Sequence, residues 1–283
     1  MRSVFFVPSH IQKFINKAKE LDADILVFDL EDSVPATEKR NARNQCIAHA
    51  THREFKNPIL LRINPIGSND FNHDIDTVLR CEADGIICPK IETPDDILQL
   101  EIELDRAGCN KDIAIFPLIE TPKAVVFCYK IAISSKKIKG MIFGHEDFLN
   151  NIRGLQGKNY QNLLFARSTI VMVCRAIGIT PIDTPYLDIK NIDGCYRHAF
   201  EGRSLGFDGM LVLHPAQVEP ANMGYTPNKD EIIKAQSIVR ESLDNYEKGR
   251  TISFNEGHFI APPTIKQAQT LLNRVKDIGC RDE

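Results

Sequence analysis

The stretch Gly85-Ile86-Ile87-Cys88-Pro89-Lys90-Ile91-Glu92-Thr93-Pro94-Asp95-Asp96 spans one strand, its polar end and the start of a helix. Four residues, Gly85–Cys88, read as a short buried strand, and Lys90 is the first ionisable side chain after it. Thr93-Pro94-Asp95-Asp96 then opens a helix, with threonine as N-cap, proline in the first turn and two acids at the positive end of the dipole. Ile97, Leu100, Ile102 and Leu104 continue at helical spacing, although two of those intervals also suit a strand. Gly108 marks the stop.

Outward from this unit the same order repeats. Strand-like runs fall at Ser3–Val7, Ile25–Leu30, Ile59–Ile63, Gly85–Cys88, Ile113–Leu118, Gly140–Phe143, Thr180–Ile182 and Met210–Leu213. Their spacing of about 30 residues is the length of one βα unit. Phe14, Ile15, Ala18 and Leu21 form a helical stripe after the first strand, and Gly178 ends a later helix. Apolar strands alternating with helices imply a parallel sheet covered on both faces. The expected fold is a (β/α)8 TIM barrel over residues 1–245, followed by a C-terminal helical arm over 246–283. A doubly wound open sheet is the alternative, but the first βα turn carries no G-x-G-x-x-G. The pattern breaks at Asn245–Asn255, around Tyr246-Glu247-Lys248-Gly249-Arg250. Beyond it, Gly257–Cys280 holds Pro262-Pro263 and one more helix, Thr264–Lys276, which reads as an appendage packing on the barrel or on a neighbouring subunit.

Composition sets the outer limits. The chain has 283 residues, 43% hydrophobic and 26% charged, enough for one large core. A net charge of −3 and a pI near 6.3 give no basic footprint, so no nucleic-acid partner is expected. No run approaches the roughly 18 apolar residues of a membrane span. The apolar run Val4–Val7 stops at Pro8, too short for a signal peptide, so a cytoplasmic protein is expected. Eight cysteines are scattered without a C-x-x-C pair, which points to reduced, structural thiols rather than zinc or a redox dithiol.

The chemistry lies just past the end of each strand, because strand ends and βα loops build a barrel's active site. Those positions hold Ser9 and His10; Asp29, Glu31 and Asp32; Arg62 and Asn64; Lys90; Glu120 and Thr121; His145, Glu146 and Asp147; Asp183; and His214. Ionisable groups converging on one rim need partners or a metal, since an unpaired buried charge costs several kcal/mol. Glu120 and Asp147 follow adjacent strands, about 4.8 Å apart, and can reach one hard cation. Mg²⁺ suits such a pair, completed by water and substrate oxygens. The competing reading makes Asp147 a helix cap and pairs Glu120 with Lys90 or Arg62. Arg62 suits a bidentate grip on a carboxylate, or else an internal ion pair with Glu31 or Asp32. The run Asp29–Asp32 also reads as a capping cluster, and His214 and His145 as loop-packing groups.

In this order and spacing the rim residues and their neighbours resemble the HpcH/HpaI aldolase and citrate lyase β-subunit family, especially its acyl-CoA lyase-like branch. The likeness runs through Arg2-Ser3 with Phe6-Val7-Pro8, Asp29–Val34, Arg62–Pro65, Pro89-Lys90, Ile119–Thr121, Phe143–Asp147, Ala166–Ser168, Pro181–Tyr186, Gly206–Gly209 and Leu213–Val218. The resemblance implies a Mg²⁺-dependent barrel, assembled as a homotrimer or hexamer. It would act on a small oxo-acid or on hydroxyacyl thioesters such as citryl-, malyl- or citramalyl-CoA. It implies Glu120 and Asp147 as metal ligands and Arg62 as the substrate-binding arginine. The Gly144–Glu146 backbone, with His145 at its centre, would cradle a substrate carboxylate. Glu31 and Asp32 would shape the pocket behind the metal, forming the catalytic set with Arg62. Four positions depart from the family pattern: Ser9 replaces a glycine, His10 a small polar residue, Met210 a lysine, and Ala261 an aspartate that acts from a neighbouring subunit. The last departure makes a CoA-independent aldolase the second reading, and a non-catalytic metabolite-binding paralogue the third. Intact Arg62, Glu120 and Asp147 argue against the third.

Overall fold

A computed structural model describes the chain except residues 52–53, 110, 156, 158–159, 248–252, 256–257 and 280–283; between 244 and 259 it describes only the backbone. Eight parallel strands run in sequence order around a closed barrel: β1 Ser3–Pro8, β2 Ile25–Asp29, β3 Ile59–Arg62, β4 Gly85–Cys88, β5 Ala114–Ile119, β6 Gly140–Phe143, β7 Thr180–Asp183 and β8 Gly209–Val212. Closure comes from β1 on β8, with Ser3 opposite Met210 and Phe5 opposite Val212. Each strand-like run of the sequence is found within a residue or two of its expected ends. The open-sheet alternative fails because no strand edge is left over in the barrel.

Between the strands lie α1 Gln12–Ala18, α2 Lys39–His49, α3 Phe71–Arg80, α4 Pro94–Arg106, α5 Pro122–Ala132, α6 His145–Ile152, α7 Leu164–Ile177, α8 Ile192–Leu205 and α9 Val218–Tyr225. The 97–104 segment resolves as helix: Ile97, Leu100 and Leu104 are buried while Ile102 is exposed, a 3.6-residue period. Its start is held by the Asp96 carboxylate, which accepts the N–H groups of Glu92 and Thr93, both at 2.8 Å. Gly178 ends α7 in the left-handed conformation, φ +78°.

Strand parity divides the core in two. Val4, Phe6, Val27, Leu60, Phe116, Leu118, Ile142 and Leu211 fill the barrel lumen, whereas Phe5, Val7, Leu26, Leu61, Ile119 and Phe143 pack outward under the helices. The same parity carries upward. Asp29, Arg62 and Glu120 each lie two residues beyond a lumen residue (Val27, Leu60 and Leu118), so they form the top layer of the lumen. Folding the barrel therefore builds the polar rim.

The chain falls into two compact units, Met1–Tyr225 and Thr226–Glu283. The second holds α10 Lys229–Glu247, a hairpin of β9 Ser253–Asn255 and β10 His258–Ile260, and α11 Pro262–Asp277. The division thus lies about a helix earlier than the 245/246 boundary read from sequence. The eight strands of the barrel end at β8, and within the second unit α10 packs on α11. The hairpin has no counterpart in the sequence reading, and Lys248-Gly249-Arg250 of the expected break lie outside the described residues. All seven cysteines among the described residues are free, and all but Cys109 are buried. Among the described residues, no helix is long and apolar enough to cross a membrane.

Candidate active site

The β2–β3 side of the rim is densely paired. Asp29 and Arg62 end neighbouring strands in register. The Arg62 Nε and one terminal nitrogen each donate to an Asp29 oxygen at 2.6 Å. The other terminal nitrogen, Nη1, lies 3.1 Å from Glu31 Oε2 and 3.9 Å from Asp32. The Phe6 ring lies 4.7 Å from the guanidinium carbon, within cation–π range. Asp29 also accepts the N–H groups of Glu31 and Ser33, at 2.9 and 3.1 Å, and the Ser33 hydroxyl. Burial opposes ionisation of Asp29, but Arg62, Ser33 and the Glu31 N–H overcome it and hold the carboxyl below its ordinary range. Arg62 in turn is held charged by Asp29 and Glu31 against the pull of burial.

Glu31 is gripped through its backbone on both sides. Its N–H is on Asp29, and its carbonyl accepts Lys39 Nζ at 2.8 Å. The same ammonium donates to Leu30 O at 2.7 Å and Asn64 Oδ1 at 2.8 Å. The Glu31 carboxylate is left with the Arg62 ion pair and no well-formed hydrogen bond on Oε2, although that atom is buried. Burial pushes it up to about 8; Arg62 opposes this, while Asp32, Asp29 and Glu120 add to it.

The β5–β6 side differs. Glu120, 5% exposed, accepts the Lys90 N–H at 2.7 Å, and Lys90 adopts φ +56° to present it. The expected pairing with Lys90 therefore exists, but through the backbone. Opposite stands Gly144, where a Cβ would come within 2.9 Å of Glu120 Cβ and 3.0 Å of its Oε2. Only glycine lets the carboxylate lie this close to the end of β6. Asp147 follows in the first turn of α6 and makes no side-chain cap. Neither Glu120 nor Asp147 has an ion pair at contact distance among the described residues. Burial pushes Glu120 up to about 7; the Lys90 N–H lowers it and the Asp147 carboxylate adds to the rise. Among the described residues no closed cage of three His, Cys, Asp or Glu forms. The pair is an open, all-oxygen donor set, the kind Mg²⁺ completes with water and substrate oxygens.

The structure thus brings together Arg62, Glu31, Glu120, Gly144 and Asp147. It does not gather every residue singled out. Asp32 is exposed, its side chain 71% accessible. The His145 ring turns away from the rim into a buried box, where Nδ1 meets the Thr184 hydroxyl and the ring packs against Tyr160. Burial holds this imidazole down to about 4, with His198 nearby adding to the effect. Two of the three N–H groups of Gly144–Glu146 already have partners. The Gly144 N–H is on Ile119 O at 3.0 Å, and the His145 N–H on Thr184 Oγ1 at 3.3 Å. The free donors of the α6 start are those of Glu146 and Asp147. Asp183 faces outward to Arg167, at 2.5 and 3.1 Å, and His214 accepts the Ala216 N–H as a loop former. Sequence reasoning placed Asp29 on the rim without its role as the Arg62 anchor. Nothing in local spacing signals Lys39 or Thr184.

A closed parallel barrel with such a rim is the architecture of an enzyme. Residues 2–215 match the model of the HpcH/HpaI aldolase/citrate lyase family. Citrate lyase subunit beta of Escherichia coli strain K12 is 30% identical over 100% of this chain and 95% of its own length. The mitochondrial citramalyl-CoA lyase of Homo sapiens is 26% identical over 98% of this chain and 86% of that one. In fold, the chain is similar to the CitE protein of Mycobacterium tuberculosis solved with magnesium, acetoacetate and coenzyme A, with a TM-score of 0.83 and 24% identity over 98% of this chain and 100% of that one. The M. tuberculosis citrate lyase beta subunit complexed with oxaloacetate and magnesium gives a TM-score of 0.70 at 26% identity over 80% and 97% of the two chains. The chain belongs to the HpcH/HpaI aldolase/citrate lyase family. It is an enzyme of the carbon–carbon lyase class.

Proposed function

We propose that this lyase uses Mg²⁺, held by Glu120 and Asp147, to make or break a carbon–carbon bond in a small oxo- or hydroxy-acid or its CoA thioester. One observation carries the reading: Glu120, buried at the end of β5, and Asp147, half-buried in the first turn of the helix after β6, stand on adjacent βα units with neither in a side-chain ion pair among the described residues. Mg²⁺ bound there supplies a Lewis acid for the oxygen on which charge develops when the bond breaks.

The chain's own groups divide the remaining work. Arg62 has two nitrogens fixed on Asp29 and its third, Nη1, in an ion pair with Glu31, so a substrate oxygen would reach the guanidinium at Nη1 by sharing it with Glu31. Donors of this sort, already in place, contribute on the order of 10²–10³ in rate each. The N–H groups of Glu146 and Asp147, at the positive end of α6, receive the substrate carboxylate. Glu31, with a buried oxygen lacking a hydrogen bond beside Arg62, is the group we assign to moving the proton. Asp32, exposed, tunes the field at the mouth.

A thioester carrier would need an apolar groove with cationic groups beside it. A crevice of about 560 Å³ is lined by Phe5, Phe14 and Leu213, with Lys13, His214 and the Lys17–Glu20 ion pair along it, an apolar floor with one lysine free of that pair. Ala261, at the start of α11, favours the second reading, an aldolase on free oxo-acids, because alanine has no proton to give or take. Calorimetry with Mg²⁺ and pyruvate, glyoxylate or oxaloacetate, each with and without acyl-CoAs, separates the two. Binding of all three acids unaffected by Mg²⁺ would sink both. The second unit reads as the arm of a homotrimer or hexamer, which light scattering of the purified protein measures.

A further inference from the structure

Helix α6 carries Asp147 yet has no cap of its own. Its N-cap position is Gly144, and a capping serine, threonine or aspartate there is excluded by the Glu120 side chain, which a Cβ would meet at 2.9 Å. The close approach that makes the site removes the usual means of fixing the helix start. A substitute comes from the next strand. Thr184, wholly buried just past β7, engages the first residue of α6 twice through one hydroxyl: the His145 N–H at 3.3 Å and the His145 ring at Nδ1.

Thr184 is itself held on its other sides. Its N–H donates to Asp183 Oδ1 at 2.9 Å, and Asp183 is locked by Arg167 from α7. Its carbonyl accepts His198 Nε2 from α8 at 3.1 Å. A carbonyl can only accept, so His198 carries its proton on Nε2. Both histidines then pack on Tyr160, at centroid distances of 5.6 and 4.6 Å. The α6 start is thus referenced to β7, α7 and α8, because its own N-cap position has no side chain with which to hold it.

We infer that Thr184 is a positioning residue for the metal site, a cap supplied from the neighbouring strand that sets Asp147 opposite Glu120. This rests on the reading of Asp147 as a Mg²⁺ ligand, and the test separates the two. Mg²⁺-dependent pyruvate binding is measured by calorimetry on the full chain for wild type, Thr184→Val, Thr184→Ser and Asp147→Asn. Loss of a partner that orients a metal ligand weakens metal binding roughly 10–100-fold, so that loss is expected for Thr184→Val. Thr184→Ser keeps the hydroxyl and should bind as wild type does. Should valine prevent folding, Thr184→Ala carries the same expectation. Wild-type affinity in Thr184→Val, or an equal loss in Thr184→Ser, overturns the inference while leaving the metal reading intact if Asp147→Asn no longer binds. Wild-type affinity in Asp147→Asn overturns both.

Discussion

The two sides of the rim treat carboxylates in opposite ways. On β2–β3, Asp29 is met by a bidentate guanidinium, two backbone N–H groups and a hydroxyl. On β5–β6, Glu120 accepts one backbone N–H, feels the Asp147 carboxylate, and has Arg62 and Lys90 near enough to act on its charge but not in contact. The first side pairs its charge at contact distance, whereas on the second no cation of the described residues makes a contact ion pair with either carboxylate. A change from carboxylate to amide should therefore act differently on the two sides.

The largest effect is expected on the side without a contact ion pair. Glu120→Gln with Asp147→Asn should abolish Mg²⁺-dependent oxo-acid binding in calorimetry. The metal-free double mutant should melt no lower than wild type, because removing like charges from a buried site is neutral or stabilising by ~1 kcal/mol. Retained binding would remove the metal from this pair.

Asp29→Asn should do the reverse, losing about 3–5 kcal/mol of stability in denaturant titration by leaving Arg62 buried with half its partners. The pH dependence has a matching sign. Asp29 is held below its ordinary range in the folded state. Its contribution is complete above the unfolded-state value of about 3.9 and is lost as pH falls through the folded one. Acid unfolding of wild type should therefore be steeper than that of Asp29→Asn. Equal acid profiles would show that the pair is not a main anchor.

Arg62 belongs to both sides, so Arg62→Lys should give a smaller, mixed result. An ammonium cannot reproduce the two-point contact with Asp29 while also reaching substrate. One charge-assisted hydrogen bond to a ligand is worth ~1.5–3 kcal/mol, so pyruvate binding should weaken by tenfold or more, alongside a fall in melting temperature. Unchanged binding with lowered stability would confine Arg62 to structure.

How much of this was legible depends on the range of the interaction. The eight strands could be read because buried parallel strands are short apolar runs at a regular interval. The top layer of the lumen could be read because parity places Asp29, Arg62 and Glu120 two residues above Val27, Leu60 and Leu118. Lys39 and Thr184 could not be found that way, since each acts on a residue 8 or 39 positions away through a loop contact that no apolar period encodes. The Arg62 partner was sought in Glu31 and Asp32, and the register of β2 on β3 gives it chiefly to Asp29 instead. The compact units divide at Tyr225/Thr226 rather than at 245. Helix α10 alternates buried and exposed faces as the barrel helices do, so its sequence alone does not mark the division.

The smallest expected effect lies in the second unit. Ala261 stands at the N-terminal end of α11 with φ −137°, an extended conformation open to any residue, and Pro262 and Pro263 come next in the first helical turn. An aspartate fits this position as an N-cap, so Ala261→Asp should not disturb the fold and should stabilise α11 by up to ~1 kcal/mol. Its chemical effect depends on which carrier the enzyme uses. General acid–base help is worth about 10²–10⁴-fold when the group is in reach, and alanine gives none. Wild type is therefore expected to turn over citryl-, malyl- and citramalyl-CoA slowly while binding Mg²⁺ and pyruvate normally. Ala261→Asp should raise that residual turnover and leave Mg²⁺ affinity unchanged, because Glu120 and Asp147 are untouched. A coupled thioester-release assay on wild type and Ala261→Asp reads this directly. Ordinary enzyme rates in wild type, with no gain in the variant, would show that Ala261 is no handicap and that Glu31 or His10, whose Nδ1 is buried without a hydrogen-bond partner, handles the proton.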